Sequence, residues 1–292
     1  MPAAGNQDRW VVHRIPALTG RRGVRVRRAT AGSLQPLARP LQTDERSGPA
    51  GIRLHPRREF DSRCWQPTIA EMHRQSPHVR YLAVNLPGRQ GIPADVRRLT
   101  IAECVDSVVG QIEQAGFDEV VLVGHSLAGV VIPDVAARLG ARRVRRIILL
   151  ACNVPLDGKS VVSTLKPPIR LFARMNVDRL PVWMARWMFC NGMTEEQRND
   201  SLRLLVPESL SIVHEPVDRS RMPAEVPRTW ILTFRDHVLP IRDQRRFIAN
   251  LGGVGEVVEL DSCHNAMTSE PAELASILLR REPLYRHRSG VQ

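Results

Sequence analysis

The stretch Val120-Val121-Leu122-Val123-Gly124-His125-Ser126-Leu127-Ala128-Gly129 constrains this chain more than any other. Four apolar residues, mostly β-branched, predict a buried strand. They run straight into Gly-His-Ser-Leu-Ala-Gly, and a helical pattern is expected to follow through Leu139. A serine at so sharp a strand-to-helix turn is held in a strained backbone conformation, so the residues two before and two after it must be small. Gly124 and Ala128 hold those positions; the strict pattern has Gly where Ala128 stands, and Gly129 follows. A helix N-terminus at this point would turn free N–H groups and the positive end of its dipole toward the serine oxygen. Ser126 is thus the candidate nucleophile and the Leu127 N–H a candidate oxyanion donor. The competing reading is an ordinary Gly/Ser turn.

A serine hydroxyl is a poor nucleophile near neutral pH and needs a base within hydrogen-bond reach. Histidine titrates in the right range, and a buried carboxylate can fix its tautomer. Candidates for both lie after the serine in the chain. Thr229–Phe234 reads as a strand and ends in Arg235-Asp236-His237, ahead of a helix expected over Pro240–Leu251. Val257–Leu260 reads as the next strand and is followed by Asp261-Ser262-Cys263-His264-Asn265, with a helix from Pro271. Asp236 is the candidate acid and His264 the candidate base. Asp236 could instead cap the Pro240 helix, Asp261 reads as a turn residue, and Asp243 and Asp157 are weaker acids. His237 competes with His264 but precedes the last strand; His125, within the turn itself, reads as a neighbour of the site.

Elsewhere, Thr100-Ile101-Ala102-Glu103 predicts a capping box opening a helix with Ile101, Cys104, Val105, Val108 and Ile112 on one face. Arg146–Cys152 reads as another buried strand, and Pro133 is expected to kink the helix after Ser126. Strands alternating with helices imply an α/β fold with a mostly parallel, doubly wound sheet. Residues 153 to 228 break that rhythm with eight prolines and short amphipathic helices, one of them over Pro181–Phe189. This insertion reads as a helical cap, in which Trp183 and Trp187, with Met184, Met188 and Phe189, are candidates to line a substrate pocket.

The chain has 292 residues and a formal net charge of +12. Nine of those twelve charges lie within residues 1 to 58, which hold twelve Arg against Asp8, Asp44 and Glu45. The high pI therefore comes from an N-terminal segment, and no basic face interleaved with aromatics suggests nucleic acid. Residues 1 to 50 are expected to form a disordered basic segment and 51 to 292 the folded domain. No apolar run long enough for a signal peptide or membrane span is present. Five scattered cysteines fit a reducing cytoplasm, and no spacing suggests a metal site. The expected ligand is a small acyl compound, with no cofactor, nucleic acid or membrane.

Phe60-Asp61-Ser62-Arg63-Cys64-Trp65-Gln66-Pro67 and Val79–Arg89, together with Gly-His-Ser-Leu-Ala-Gly, Leu232–Asp236 and Cys263-His264, resemble the α/β-hydrolase superfamily. The branch they resemble is that of the small methyl-ester esterases and hydroxynitrile lyases with their bacterial esterase relatives, over roughly residues 55 to 282. The resemblance implies hydrolysis of a small carboxylic ester by Ser126, Asp236 and His264, with Leu127 and Phe60 donating to the oxyanion. Members of this branch carry His-Gly before the oxyanion loop. Here the pair is His55-Pro56, followed by Arg57, Arg58 and Glu59, and proline has no N–H to donate. Hydroxynitrile lyases of the branch carry Lys directly after the histidine, where this chain has Asn265, which favours hydrolysis. Two other readings stay open: hydrolysis of a C–C bond on the same triad, and a non-catalytic member that binds a small ligand.

Overall fold

The computed structural model describes residues 12–13, 51–55, 60–89, 91–165, 181–206 and 211–281. Among them seven strands form one sheet: β1 (Val12–His13), β2 (Gly51–His55), β3 (Tyr81–Ala83), β4 (Val120–His125), β5 (Val144–Leu150), β6 (Arg228–Thr233) and β7 (Glu256–Leu260). Their order is β1-β7-β6-β5-β4-β2-β3, and every pairing is parallel. The order runs outward from β2 to β3 in one direction and from β4 to β7 in the other. The sheet is doubly wound, with its switch point between β2 and β4, where such sheets open a crevice at the strands' carboxyl ends.

Ten helices are described: α1 (Gln66–Gln75), α2 (Ile101–Gln114), α3 (Ile132–Leu139), α4 (Val161–Thr164), α5 (Val182–Phe189), α6 (Glu195–Arg203), α7 (Ser211–His214), α8 (Ile241–Asn250), α9 (Ala266–Ser269) and α10 (Pro271–Leu279). The two faces of the sheet follow from side chains alternating along each strand. Val120 and Leu122 of β4, Ile147 and Leu149 of β5, and Trp230 and Leu232 of β6 join one core with α2, α3 and α8. The interleaved residues Val121, Val123, Ile148, Leu150 and Ile231 join the other, with α1 and α10. Burial on both faces is why these strands read as continuous apolar runs. The capping box is present: the Thr100 hydroxyl accepts from Glu103 N–H and the Glu103 carboxylate from Thr100 N–H.

Three expectations need correction. The folded part does not begin at residue 51, because Val12 and His13 pair with Val257 and Val258 of β7. Residues 1–11 and 14–50, the rest of the segment expected to be disordered, lie outside the described residues. Pro133 does not kink a helix interior. The chain leaves Ser126 as a 3-10 turn over Ser126–Val130, and α3 starts only at Ile132, so Pro133 occupies a first-turn position that needs no N–H. The helical dipole expected at Ser126 is accordingly that of a short 3-10 turn. Among the described residues no helix is long and apolar enough to cross a membrane.

Between β5 and β6 the chain builds α4 to α7. The α6 start is a second capping box, Thr194 with Gln197. Residues 166–180 and 207–210 of this insertion lie outside the described residues.

The turn after β4 depends on a close approach that the motif alone did not single out. A Cβ on Gly129 would overlap the carbonyl oxygen of Asn153 and lie 2.9 Å from Cys152 Cβ, both fixed by the end of β5. A Cβ on Gly124 would meet mainly Cδ1 of Ile132, the far end of a side chain that can rotate. Gly129→Ala should therefore destabilise the protein by about 1–3 kcal/mol, as overpacking of a rigid site does, and Gly124→Ala by less. Urea unfolding of the two variants checks the ranking; equal losses would contradict it.

Candidate active site

Three strand ends bring the candidate residues together. Ser126 follows β4, Asp236 lies three residues past β6, and His264 lies four past β7. His264 Nε2 is 2.9 Å from Ser126 Oγ, and His264 Nδ1 is 2.6 Å from Asp236 Oδ2. All three residues are buried, Ser126 and Asp236 at 4% exposure and His264 at 0%.

Ser126 has φ 54°, in the left-handed region that a side chain disfavours by about 1–3 kcal/mol. The surroundings hold it there. Asn153 N–H donates to the Ser126 carbonyl at 2.8 Å, and Val131 N–H donates to that of Ala128 at 3.0 Å. The Cys152 thiol donates to the Gly124 carbonyl at 3.2 Å, and burial pushes this thiol far above its ordinary range, so it stays protonated.

Asp236 accepts four hydrogen bonds. Oδ1 takes the N–H groups of Val238 (2.8 Å) and Leu239 (2.7 Å); Oδ2 takes the Thr233 hydroxyl (2.9 Å) and His264 Nδ1–H. Burial opposes ionisation of this carboxyl. The facing imidazole and the donors at Leu239 and Thr233 outweigh it and hold Asp236 below the ordinary 3.8. An ionised carboxylate can only accept, so the proton sits on Nδ1 and leaves Nε2 to accept from Ser126. Such a relay can draw the hydroxyl proton onto the ring while the negative charge of Asp236 stabilises the resulting imidazolium.

The rival acids and bases stand elsewhere. Asp261 is exposed and pairs with Arg235 at 2.9 Å. Asp243 lies in the first turn of α8 facing Arg246, and Asp157 accepts from Arg219 N–H. Asp236 does not cap α8, whose N-cap is Pro240. His237 is exposed, stacks on Trp187 with ring centroids 4.9 Å apart and donates to its carbonyl.

The expected pocket residues are redistributed. Trp183 and Trp187 lie on the outer face of α5, 69% and 58% exposed. The opposite face, Ala185 and Phe189, is buried, and the Phe189 ring stacks on His264 at 6.1 Å. The sequence holds three apolar pairs spaced by four on this helix, Trp183/Trp187, Met184/Met188 and Ala185/Phe189, and spacing cannot tell which pair turns inward. His125, expected beside a substrate, is fully buried beneath His264, its ring centroid 4.7 Å away.

Of the two expected oxyanion donors, Leu127 lies buried in the turn after Ser126. Phe60 is buried, its ring edge-on to Phe189, and its carbonyl accepts from Arg89 Nε at 3.3 Å. The loop behind it is tied down by Asp61, which caps the turn over Ser62–Trp65, and by Asn85, whose Oδ1 accepts Ser62 N–H. Pro56, Arg57, Arg58 and Glu59 lie outside the described residues. Phe189 was among the expected pocket residues; Asn153, Thr233 and Arg89 are the neighbours that sequence reasoning missed. Among the described residues no cluster of His, Cys, Asp and Glu could hold a metal ion.

The Asp236 environment carries a pH signature. A carboxyl whose folded value lies below its unfolded value contributes stability above the unfolded value, and loses it as pH falls through the folded one. Asp236→Asn should therefore be less stable than wild type at neutral pH, with a gap that narrows as pH drops below 3.8. Urea midpoints of both proteins from about pH 6 to about pH 3 check this; a gap independent of pH would contradict it.

Comparison with known proteins agrees with this architecture. A carbendazim hydrolyzing esterase from Nocardioides sp. (strain SG-4G) is 31% identical over 102 residues, 35% of this chain and 41% of its own length. The match thus spans less than half of that relative. An extracellular α/β-hydrolase from a Paenibacillus species superposes with a TM-score of 0.69 at 21% identity, covering 80% of this chain and 98% of its own. A methylesterase from Arabidopsis superposes with a TM-score of 0.62 at 18% identity, covering 79% and 98%. Residues 50–277 match the model of the alpha/beta hydrolase family. The chain belongs to that family.

Proposed function

We propose that this protein hydrolyses a small carboxylic ester, or a related acyl compound, through an acyl-Ser126 intermediate. The observation that carries the reading is the buried relay in which Ser126 Oγ, His264 Nε2, His264 Nδ1 and Asp236 Oδ2 follow one another at 2.9 and 2.6 Å. In the first half-reaction His264 takes the Ser126 proton as Oγ attacks the acyl carbon. The imidazolium then returns that proton to the departing alcohol oxygen. In the second half, water attacks the acyl carbon, His264 again accepting and returning the proton, and the acid leaves Ser126. The Leu127 and Phe60 N–H groups are assigned to the oxyanion, a role that is worth about 10²–10³ in rate for one donor.

The esterase names of the relatives support the reaction class, and the aromatic wall of Phe60 and Phe189 beside His264 supports an apolar acyl or alcohol group. The relay as described needs no redox group and no Lewis acid. Cytoplasmic residence and a free small-molecule substrate belong to the same proposal.

Steady release of p-nitrophenol from p-nitrophenyl acetate is the expected result, and a fluorophosphonate probe should label Ser126 alone. Ser126→Ala should lower kcat by about 10³-fold or more with the fold intact. A probe that still labels Ser126→Ala, or a wild-type protein that releases no p-nitrophenol, would overturn the proposal. The second outcome would favour a ligand binder.

A further inference from the structure

His264 hangs from a loop fastened at two successive residues to two different parts of the molecule. From beneath, His125 at the end of β4 reaches the His264 carbonyl at 2.8 Å; a carbonyl only accepts, so His125 Nε2 carries the donated proton. From above, the next residue, Asn265, donates from Nδ2 to Ser201 Oγ of α6 at 2.8 Å. Ser201 and Asn265 are each 1% exposed. One turn earlier on α6, Gln197 Nε2 donates to the carbonyls of Thr268 (2.9 Å) and Ser269 (3.4 Å) of α9, the helix that follows His264.

The composition of α6 makes these bonds informative. It reads Glu-Glu-Gln-Arg-Asn-Asp-Ser-Leu-Arg, and Ser201 is its one buried residue. A helix seated by apolar burial can slide with little change in energy, because hydrophobic contact is non-directional. A helix seated by buried hydrogen bonds has a fixed place. If α6 shifts, the Asn265 amide and two helix carbonyls lose partners where water does not replace them. The insertion therefore meets the loop of the base through directional polar contacts at the residue beside His264.

We propose that Ser201 and Gln197 are positioning residues for His264, and that α6 sets the imidazole relative to Ser126 through Asn265. This rests on the reading of Ser126 as nucleophile. Asn265 follows His264 directly, and its amide is bound to the insertion.

Ser201→Ala removes the acceptor and leaves the Asn265 amide buried; Ser201→Thr keeps a hydroxyl. Three measurements read the effect: kcat and KM on p-nitrophenyl acetate, the rate of fluorophosphonate labelling at Ser126, and the low-field proton NMR signal of His264 Nδ1–H. Ser201→Ala should lower kcat and the labelling rate by about ten- to a hundredfold, the scale of a slightly misplaced catalytic group, with KM little changed. The Nδ1–H signal should shift or broaden, and Ser201→Thr should recover most of the rate. If Ser201→Ala fails to fold, Gln197→Ala tests the second contact, the bonds to the Thr268 and Ser269 carbonyls, by the same readouts, with Thr194→Ala as the control for the capping box that Gln197 also closes. A folded Ser201→Ala protein with wild-type kcat and an unchanged Nδ1–H signal overturns the proposal, as does a loss confined to KM or to thermal stability. If the wild type neither turns over ester nor reacts with the probe, the hydrolase reading fails, and the NMR signal still decides whether α6 positions His264.

Discussion

The left-handed backbone at Ser126 is the constraint on which the rest of the structure depends. A residue with a side chain does not rest at φ 54° by choice. It stays there because the turn is pressed between β4 and the end of β5, where Gly129 passes the Asn153 carbonyl without room for a Cβ. The same crossing places Asn153 N–H on the Ser126 carbonyl, so the contact that demands glycine also holds the serine. The sheet around it is parallel and buried on both faces, which gives the turn a rigid base. Strain at one residue is affordable only when many packed neighbours fix it.

From that turn outward, the site is a sequence of acceptors and donors with no slack. Asp236 is saturated by four donors, two of them from its own loop, so the carboxylate cannot rotate away from His264. Saturation also explains why a carboxyl buried to 4% exposure stays ionised, since the bonds and the imidazole outweigh the cost of burial. His264 is then held through its ring by Asp236, through its carbonyl by His125 and through its neighbour Asn265 by α6. Preorganisation of this kind removes reorganisation from the moment of reaction.

The insertion contributes to the site by two different physical means. Helix α5 turns Phe189 onto His264 and Phe60, an apolar contact beside the imidazole. Helix α6 supplies hydrogen bonds through Gln197 and Ser201, with Leu202 packed against the core. Apolar contact excludes water and sets polarity; hydrogen bonds set position.

The sequence by itself determined the strands β4 to β7, the turn at Ser126 and the chain order of serine, acid and histidine. These are local: apolar runs, a small-residue turn and polar residues just past strand ends are all written within a few positions. It also singled out Asp236 by address, ahead of any distance, and the structure places that carboxylate on His264. Tertiary structure alone decided what depends on partners far apart in the chain. Which face of α5 turns inward rested on the loops it lies against, because Trp183/Trp187 and Ala185/Phe189 have the same spacing. That Val12 and His13 join the sheet depended on an open edge at β7, 245 residues away. That Gly129, more than Gly124, cannot carry a side chain depended on where β5 ends. The grip of Ser201 on Asn265 joins residues 64 apart, and no local pattern marks a polar helix as one that is seated by hydrogen bonds.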